Sequence, residues 1–173
     1  MSYRKAELIT WSSTFICGVK IIDDQHRELV DMINDMFKHV TGSEKEEHDY
    51  LAKIIHKAVK YIRVHFVSEE RIMLATKFSG YEEHKKTHDG FIITIIDLIN
   101  DFMSGKKISL FSFTKFLKDW VFSHIAIMDK DYFEYFRDIA TRKPNGRLSI
   151  TPVDIPKTHK GGLLHEVSRR QCG

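Results

Sequence analysis

The sequence has 173 residues, 42% of them hydrophobic, which is enough for one folded domain with a buried core and excludes a disordered chain. Residues 1–140 carry 20 Lys and Arg against 22 Asp and Glu, whereas residues 141–173 carry seven against two. Because the basic charge is confined to the tail and no apolar run approaches the roughly 18 residues of a membrane span, we expect no nucleic-acid partner and no membrane span.

The first predicted helix runs from about Ile22 to Val40, and Gly42-Ser43 ends it. Its apolar stripe repeats every three or four residues, as one face of a helix does. Ser43 and Glu46 have the spacing of a capping box and predict the start of the next helix. The stripe consists of His26, Leu29, Ile33, Phe37 and Val40.

Three further helices follow after short gaps. The second ends at Ser79-Gly80, where Ser79 and Glu82 repeat the capping-box pattern. The third ends at Gly105, and the fourth begins near Ser109. Their stripes are, in turn, Leu51, Ile54, Ala58, Ile62, His65, Glu69 and Ile72; Tyr81, His84, His88, Phe91, Ile95, Leu98 and Phe102; and Phe113, Leu117, Trp120 and His124.

Four amphipathic helices joined by short loops predict an all-α fold, an up-down-up-down antiparallel four-helix bundle within residues 1–140. Residues 1–19 precede it as an N-terminal arm. Residues 141–173 contain three prolines and Gly161-Gly162, so they predict an extended basic C-terminal tail without regular elements. The short apolar segment around Leu163-Leu164 is compatible with docking to a protein partner and equally with a loosely packed extension.

Five histidines and a glutamate lie on the apolar stripes, where burying an ionisable group without a partner is costly. Any single one can be a core histidine satisfied by one hydrogen bond. Six such groups spread over all four helices are explained together if they bind metal. They are His26, His65, Glu69, His84, His88 and His124.

The spacing of these residues supports a shared site. His65 and Glu69 are four residues apart, as are His84 and His88, so each pair projects from one helix face. Asp129 follows His124 by five residues, which turns it away by about 140° on a regular helix. Either Asp129 points away or the helix is distorted. Because the apolar stripe also shifts phase there, we expect a one-residue π-bulge near residues 124–129, a feature often found at functional sites.

These seven candidate ligands exceed what one ion needs, whereas two ions that share bridging carboxylates use them all. Imidazole with carboxylate suits iron, zinc, copper or nickel. Five imidazoles and two bridging carboxylates favour a di-iron site with an open coordination position.

At these positions the sequence resembles the hemerythrin family in its single-domain bacterial form, from about Trp11 to Phe136. The resemblance extends over four stretches of the chain. They are Trp11 with Gly18-Val19 and Ile22-Asp23-Asp24-Gln25-His26; His65-Phe66 with Glu69-Glu70; His84 and His88 with Phe91; and Trp120 with His124, Asp129 and Tyr132.

The resemblance implies a non-haem centre of two iron ions with a solvent-derived oxo or hydroxo bridge. One iron would have three histidine ligands and the other two, and dioxygen would bind at the open position of the two-histidine iron. Two carboxylates would bridge the ions. The three histidines are His84, His88 and His124, the two are His26 and His65, and the bridges are Glu69 and Asp129.

Each residue beside these ligands can have a functional role or a purely structural one. An apolar pocket would exclude the water and anions that promote autoxidation, although its members are also ordinary core residues. Tyr132 is either a hydrogen-bond partner of a ligand or a packed aromatic residue. Glu70 is interpreted as a solvated acid or a support for a ligand, rather than as a ligand. The expected lining of the dioxygen pocket is Phe66, Phe91, Trp120, Val121 and Ile125.

The leading functional hypothesis is reversible dioxygen binding for carriage, storage or delivery, without enzyme activity. One alternative is an oxygen or redox sensor that acts through a partner, although the sequence contains no recognisable signalling domain. Another is a di-iron enzyme that reduces peroxide or nitric oxide. The Glu-x-x-His pairs of ferritin-like di-iron proteins do not occur in this sequence, which disfavours that alternative.

The remaining histidines and the cysteines are not assigned to the site. Cys17 and Cys172 form no metal or disulfide motif, and the first residues lack the apolar core of a signal peptide, so we expect a cytoplasmic protein. The sequence does not define an oligomeric state. The histidines without a ligand spacing are His39, His48, His56, His159 and His165.

Overall fold

The computed structural model describes residues 7–142, which form a bundle of four long helices. Helix α1 packs against α2 and α4, and α2 packs against α3 and α4. The predicted all-α four-helix bundle is confirmed, and no helix among residues 7–142 is long and apolar enough to cross a membrane. The helices are α1 Lys20–Lys38, α2 Glu44–Thr76, α3 Tyr81–Met103, and a fourth made of α4 Leu110–Ser123, the π-helical segment His124–Met128 and α5 Asp129–Arg142.

Helix α1 begins two residues earlier than its apolar stripe predicts. The Asp23 carboxylate reaches back and accepts hydrogen bonds from the backbone N–H groups of Cys17 (2.7 Å) and Gly18 (3.2 Å). Gly18 has a φ of +87°, a conformation that glycine adopts without strain. The arm is thereby turned into the helix.

Both predicted capping boxes are wrong, because neither Ser43 nor the residue before α3 caps its helix through a side chain. Before α2, it is Glu47 and not Glu46 that accepts the N–H groups of Thr41 (2.9 Å) and Gly42 (2.7 Å). Gly42 has a φ of +83°, which turns these N–H groups toward Glu47, one residue after the predicted Glu46.

The other two helix starts differ from each other. Helix α3 starts from Gly80 rather than Ser79, directly after the left-handed turn at Lys77 that ends α2. At the start of α4 the prediction is confirmed, since the Ser109 hydroxyl accepts from the N–H of Ser112 at 3.3 Å. Only this last helix start therefore follows the simple capping pattern.

The core consists of two apolar clusters with a polar layer between them. One cluster contains Leu29, Phe66 and Ile125, and the other contains Ile22, Ile72, Tyr132 and further residues at the opposite end. Along each helix the chain passes from one cluster to the other through the layer: Ile22 precedes His26 and Leu29 follows it. The predicted ligands therefore lie where the apolar packing is interrupted.

The arm before α1 is fixed to the bundle by hydrogen bonds between its backbone and one side chain of α1. Ile9 is buried, and its N–H and C=O groups both pair with the Asn34 amide, at 2.9 and 2.8 Å. The arm then forms a single 3₁₀ turn over Ser13–Phe15 and buries Phe15. Predictions for residues 141–173 concern the basic tail, most of which lies outside the described residues.

Candidate metal centre

The bundle brings all seven predicted ligand side chains into one buried layer. Each is between 0 and 6% exposed, so none is solvated. They form two overlapping groups whose candidate ligand atoms lie within 4.8 Å of one another. The first group is Glu69, His84, His88 and His124, and the second is His26, His65, Glu69 and Asp129.

Three imidazoles of the first group aim the same nitrogen at one point. His88 Nε2 lies 3.2 Å from His84 Nε2 and 3.0 Å from His124 Nε2. The other ring nitrogen of His88, Nδ1, faces the Glu70 carboxylate at 3.0 Å and must therefore be the protonated one. The Nε2 atom then carries a lone pair directed at its neighbours, an arrangement that a cation between them would satisfy.

Each carboxylate presents one oxygen to each group. Glu69 Oε1 faces His26 (3.8 Å) and His65 (3.6 Å), whereas Oε2 faces His88 (3.2 Å). Asp129 repeats this arrangement, with Oδ1 near His124 (3.2 Å) and Oδ2 near His26 (3.9 Å). Two carboxylates that each span both groups have the geometry of bridges between two ions.

Several of these buried atoms have no hydrogen-bond partner among the described residues. Buried polar groups are nearly always paired, because an unpaired one costs about 1–3 kcal/mol. Unpaired imidazole nitrogens and carboxylate oxygens concentrated in one buried layer are the donor atoms that a bound iron pair would use. The unpaired atoms that face the layer are His26 Nε2, His65 Nε2, Glu69 Oε2, Asp129 Oδ1 and Asp129 Oδ2, and the His124 Nδ1, on the opposite side of its ring from the nitrogen that faces His88, is unpaired as well.

The rings of the second group are oriented by neutral hydrogen-bond acceptors. His26 Nδ1 donates to the backbone carbonyl of Phe15 at 2.8 Å, and His65 Nδ1 donates to Gln25 Oε1 at 3.2 Å. The Gln25 amide is held in turn, because its Nε2 donates to the Ser68 hydroxyl at 3.0 Å. Both tautomers leave Nε2 free for a metal.

Burial and neighbouring charges together set the protonation of the metal-free layer. Burial would lower the pKa of His88, but Glu69 and Glu70 more than offset it and raise that pKa. Burial has the opposite outcome at the next two rings. It lowers the pKa of His65 to about 3 and that of His124 to about 4, so both rings are neutral near pH 7, which is the form that binds metal. Burial would raise the pKa of Glu69, but His65 and the other histidines more than offset it and hold the pKa well below its usual value. Burial and the charge of Glu69 raise the pKa of Asp129.

A π-helical segment at His124–Met128 places Asp129, which confirms the predicted helix distortion. The wider turn adds one residue, so His124 and Asp129 face the layer together although they are five residues apart. Ile127, within the segment, is 66% exposed, which leaves the inner face to His124 and Ile125.

Aromatic rings pack most closely against the first group. Those beside the second group, Tyr61, Phe66 and Phe133, have ring centroids 5.9–6.2 Å from His65 or His26. Phe66 stacks on His88 with ring centroids 3.7 Å apart, and Trp120 stacks on His124 at 4.3 Å. Phe91 packs on Trp120 at 4.2 Å. Of the five residues predicted to line a dioxygen pocket, these three therefore enclose the three-histidine group, while Val121 and Ile125 are fully buried in the adjoining core.

Two further residues near the layer have clear contacts. The Tyr132 hydroxyl donates to Glu69 Oε1, so Tyr132 is a hydrogen-bond partner of a candidate ligand as well as a packed aromatic residue. Glu70 accepts a hydrogen bond from His88, as described above. Its place next to Glu69 in the sequence does not predict which histidine it contacts. The exposed His39, His48 and His56 lie outside the layer, and His159 and His165 lie outside the described residues.

A four-helix bundle with this buried layer of histidines and carboxylates is a metal-binding helical protein. The sequence model of one protein family, the hemerythrin HHE cation-binding domain, matches residues 17–136 of this chain. The chain therefore belongs to the hemerythrin family, as its motifs predict.

Individual relatives agree with this assignment. The chain is 30% identical to the bacteriohemerythrin of Methylococcus capsulatus over 126 residues, 72% of this chain and 94% of that protein. It is 28% identical to the myohemerythrin of Sipunculus nudus over 132 residues, 76% of this chain and 97% of that protein. The crystal structure of a wild-type hemerythrin superposes with a TM-score of 0.62 at 31% identity, covering 73% of this chain and 96% of that one.

Proposed function

We propose that this chain binds dioxygen reversibly at two iron ions and serves in its carriage, storage or delivery. Membership of the hemerythrin family makes it a non-haem di-iron, oxygen-binding protein. The proposal adds the reversibility, the physiological role and the residues. A cytoplasmic location and the absence of enzyme turnover are part of the same proposal.

The observation that carries the proposal is the division of the layer into two histidine groups joined by two carboxylates. Glu69 and Asp129 would bridge the ions, because each directs one oxygen to each group. The three histidines of one group fill more of its ion's coordination positions than the two of the other. An open position for dioxygen is therefore expected beside His26 and His65.

When bound, the iron pair would supply the electrons that dioxygen takes up, and the protein's part is to keep the exchange reversible. Among the described residues, Val121 and Ile125 lie in the apolar cluster next to the layer and bring no acid to it. The Tyr132 hydroxyl is already donated to Glu69. Few protons are thus offered to bound oxygen, which disfavours cleavage of the O–O bond.

The direct test is an oxygen titration of the iron-loaded protein. The protein is reduced without oxygen, exposed to oxygen, and then returned to vacuum while the visible spectrum is followed. We expect a charge-transfer band that appears with oxygen and disappears under vacuum through repeated cycles. Immediate conversion to the ferric protein, or consumption of oxygen, peroxide or nitric oxide with turnover, would contradict the proposal and favour an enzyme.

The ligand assignment has its own test in iron content. His124→Ala removes one nitrogen of the three-histidine group, and we expect clearly less than two iron ions per chain. His56→Ala is the matched control, because His56 is exposed on α2 and outside the layer. Full iron content in His124→Ala would refute His124 as a ligand without touching the other assignments.

A further inference from the structure

The hydrogen-bond acceptors behind the histidine rings differ in charge between His88 of the first group and His26 and His65 of the second. His26 and His65 donate their Nδ1 protons to neutral oxygens, a backbone carbonyl and the Gln25 amide. His88 donates its Nδ1 proton to the Glu70 carboxylate at 3.0 Å. Among the hydrogen bonds of the described residues, this is the one in which a carboxylate accepts from the Nδ1 of a candidate ligand.

Glu70 and Phe66 hold the same ring from one helix. They are four residues apart on α2 and so project from the same face. Phe66 lies flat against His88 with an interplanar angle of 6°, and Glu70 fixes the edge of that ring. The face and the edge together define both the position and the rotation of His88.

The Glu70 side chain lies at the border between the buried layer and water. Its side chain is 20% exposed, whereas that of His88 is fully buried, so water can solvate the charge from the outside. A charge-assisted hydrogen bond is about twice as strong as a neutral one, and it gives the ring more electron density to donate through Nε2.

We propose that Glu70 is a positioning residue that fixes the Nε2-binding tautomer of His88 and makes the three-histidine group the more electron-rich half of the centre. The inference rests on the proposed di-iron function and deepens it. The reduction potentials of the two iron ions would then differ because of the residues behind the ligands, in addition to the difference in ligand number.

Two variants separate position from charge. Glu70→Gln keeps an acceptor oxygen at about the same reach and removes the charge, whereas Glu70→Ala removes both. Glu134→Gln is the control, because Glu134 is exposed on α5 and its loss changes the net charge equally. Thermal unfolding of the metal-free proteins checks that each variant folds.

Zinc serves as a diamagnetic probe of the hydrogen bond itself. In the zinc-loaded parent we expect a slowly exchanging, strongly downfield Nδ1 proton for His88. This resonance should move upfield in Glu70→Gln and disappear by exchange in Glu70→Ala. Competition with a chromophoric chelator should show zinc affinity lower by about tenfold in Glu70→Ala and much less in Glu70→Gln.

The iron-loaded proteins test the electronic half of the inference. The midpoint potential should shift to more positive values in Glu70→Gln, because ferric iron loses a donor strengthened by an anion, and should not shift in Glu134→Gln. Unchanged His88 resonance, zinc affinity and potential in both Glu70 variants would overturn the inference. A parent chain that binds fewer than two metal ions would instead overturn the proposed function.

Discussion

The two halves of the metal centre are held by different kinds of contact. Around His88 and His124 the closest contacts are aromatic, since Phe66 and Trp120 stack on the rings at 3.7 and 4.3 Å, and His88 also donates to Glu70. Around His26 and His65 the support is a set of hydrogen bonds to the Phe15 carbonyl and to Gln25. Close ring stacking therefore marks one half, whereas neutral hydrogen-bond acceptors orient both rings of the other.

This difference suits the roles proposed for the two halves. Stacked rings exclude water and leave little room for another ligand, as a coordinatively filled ion requires. Hydrogen bonds from behind a ring fix its direction without occupying the space in front of it. The half that would accept dioxygen is thus the one whose two histidines are both held from behind and have no ring stacked closely on them.

The largest expected effect comes from removing a residue that both halves share. Asp129→Asn keeps the size of the side chain but removes the charge of a proposed bridge. We expect metal affinity to fall by more than the roughly 10–100-fold that loss of a partner behind a ligand causes. The metal-free protein should become more resistant to unfolding, because burial and the charge of Glu69 both disfavour the charged form of Asp129 and raise its pKa.

Isothermal titration with zinc and thermal unfolding of the metal-free protein measure the two opposite effects. Asp131→Asn is the control, since Asp131 is exposed on the same helix. If only one half lost its ion in Asp129→Asn, the carboxylate would belong to that half and would not be a bridge.

The sequence predicts which residues meet in the layer, because helical periodicity fixes the face on which each lies. His65 with Glu69, and His84 with His88, are examples in which a spacing of four residues is sufficient. Asp129 required the additional prediction of a π-bulge, which the shift in the apolar stripe after His124 indicates and the structure contains.

The contacts behind the ligands could not be predicted in the same way. Gln25 precedes His26 in the chain but holds His65 on α2, and Glu70 follows Glu69 but holds His88 on α3. These pairings depend on how far one helix is rotated and shifted against the next. Periodicity within a single helix carries no information about that rotation.

Tyr132→Phe should have a smaller effect on stability and metal affinity. We expect it to involve both halves of the centre, because it acts through Glu69. The Tyr132 hydroxyl donates to Glu69 Oε1, and burial keeps the pKa of Tyr132 well above its usual value, so the donor remains protonated. Loss of a hydrogen bond to a charged group should lower the free energy of unfolding by about 1.5–3 kcal/mol. Zinc affinity should also fall, because the carboxylate loses the contact that orients it.

Tyr135→Phe is the matched control for Tyr132→Phe. Its hydroxyl donates to the neutral carbonyl of Thr76 at 2.6 Å, away from the layer. We expect a loss of about 0.5–1.5 kcal/mol in denaturant unfolding and unchanged zinc affinity. Equal losses of zinc affinity in the two variants would show that Tyr132 acts through packing alone.

The smallest effect should be confined to the two-histidine half and follows from Ser68→Ala. The Ser68 hydroxyl accepts from Gln25 Nε2 at 3.0 Å and donates to the Val64 carbonyl at 2.7 Å, so it fixes which end of the amide faces His65. Without this hydroxyl the Gln25 amide loses a hydrogen bond that favours one orientation by about 1 kcal/mol. We expect broadening of the His65 Nδ1 proton resonance in the zinc-loaded protein, with the His88 resonance unchanged.

Thr94→Ala provides the control for Ser68→Ala, since its hydroxyl makes the same kind of bond to the carbonyl four residues earlier but is exposed on α3. A change at His88 in Ser68→Ala would mean that the two halves are mechanically coupled through α2, which carries Ser68, Glu69 and Glu70 in succession. An effect limited to His65 would mean that each half is held by its own neighbours, so that substitutions behind one group can tune one metal ion without disturbing the other.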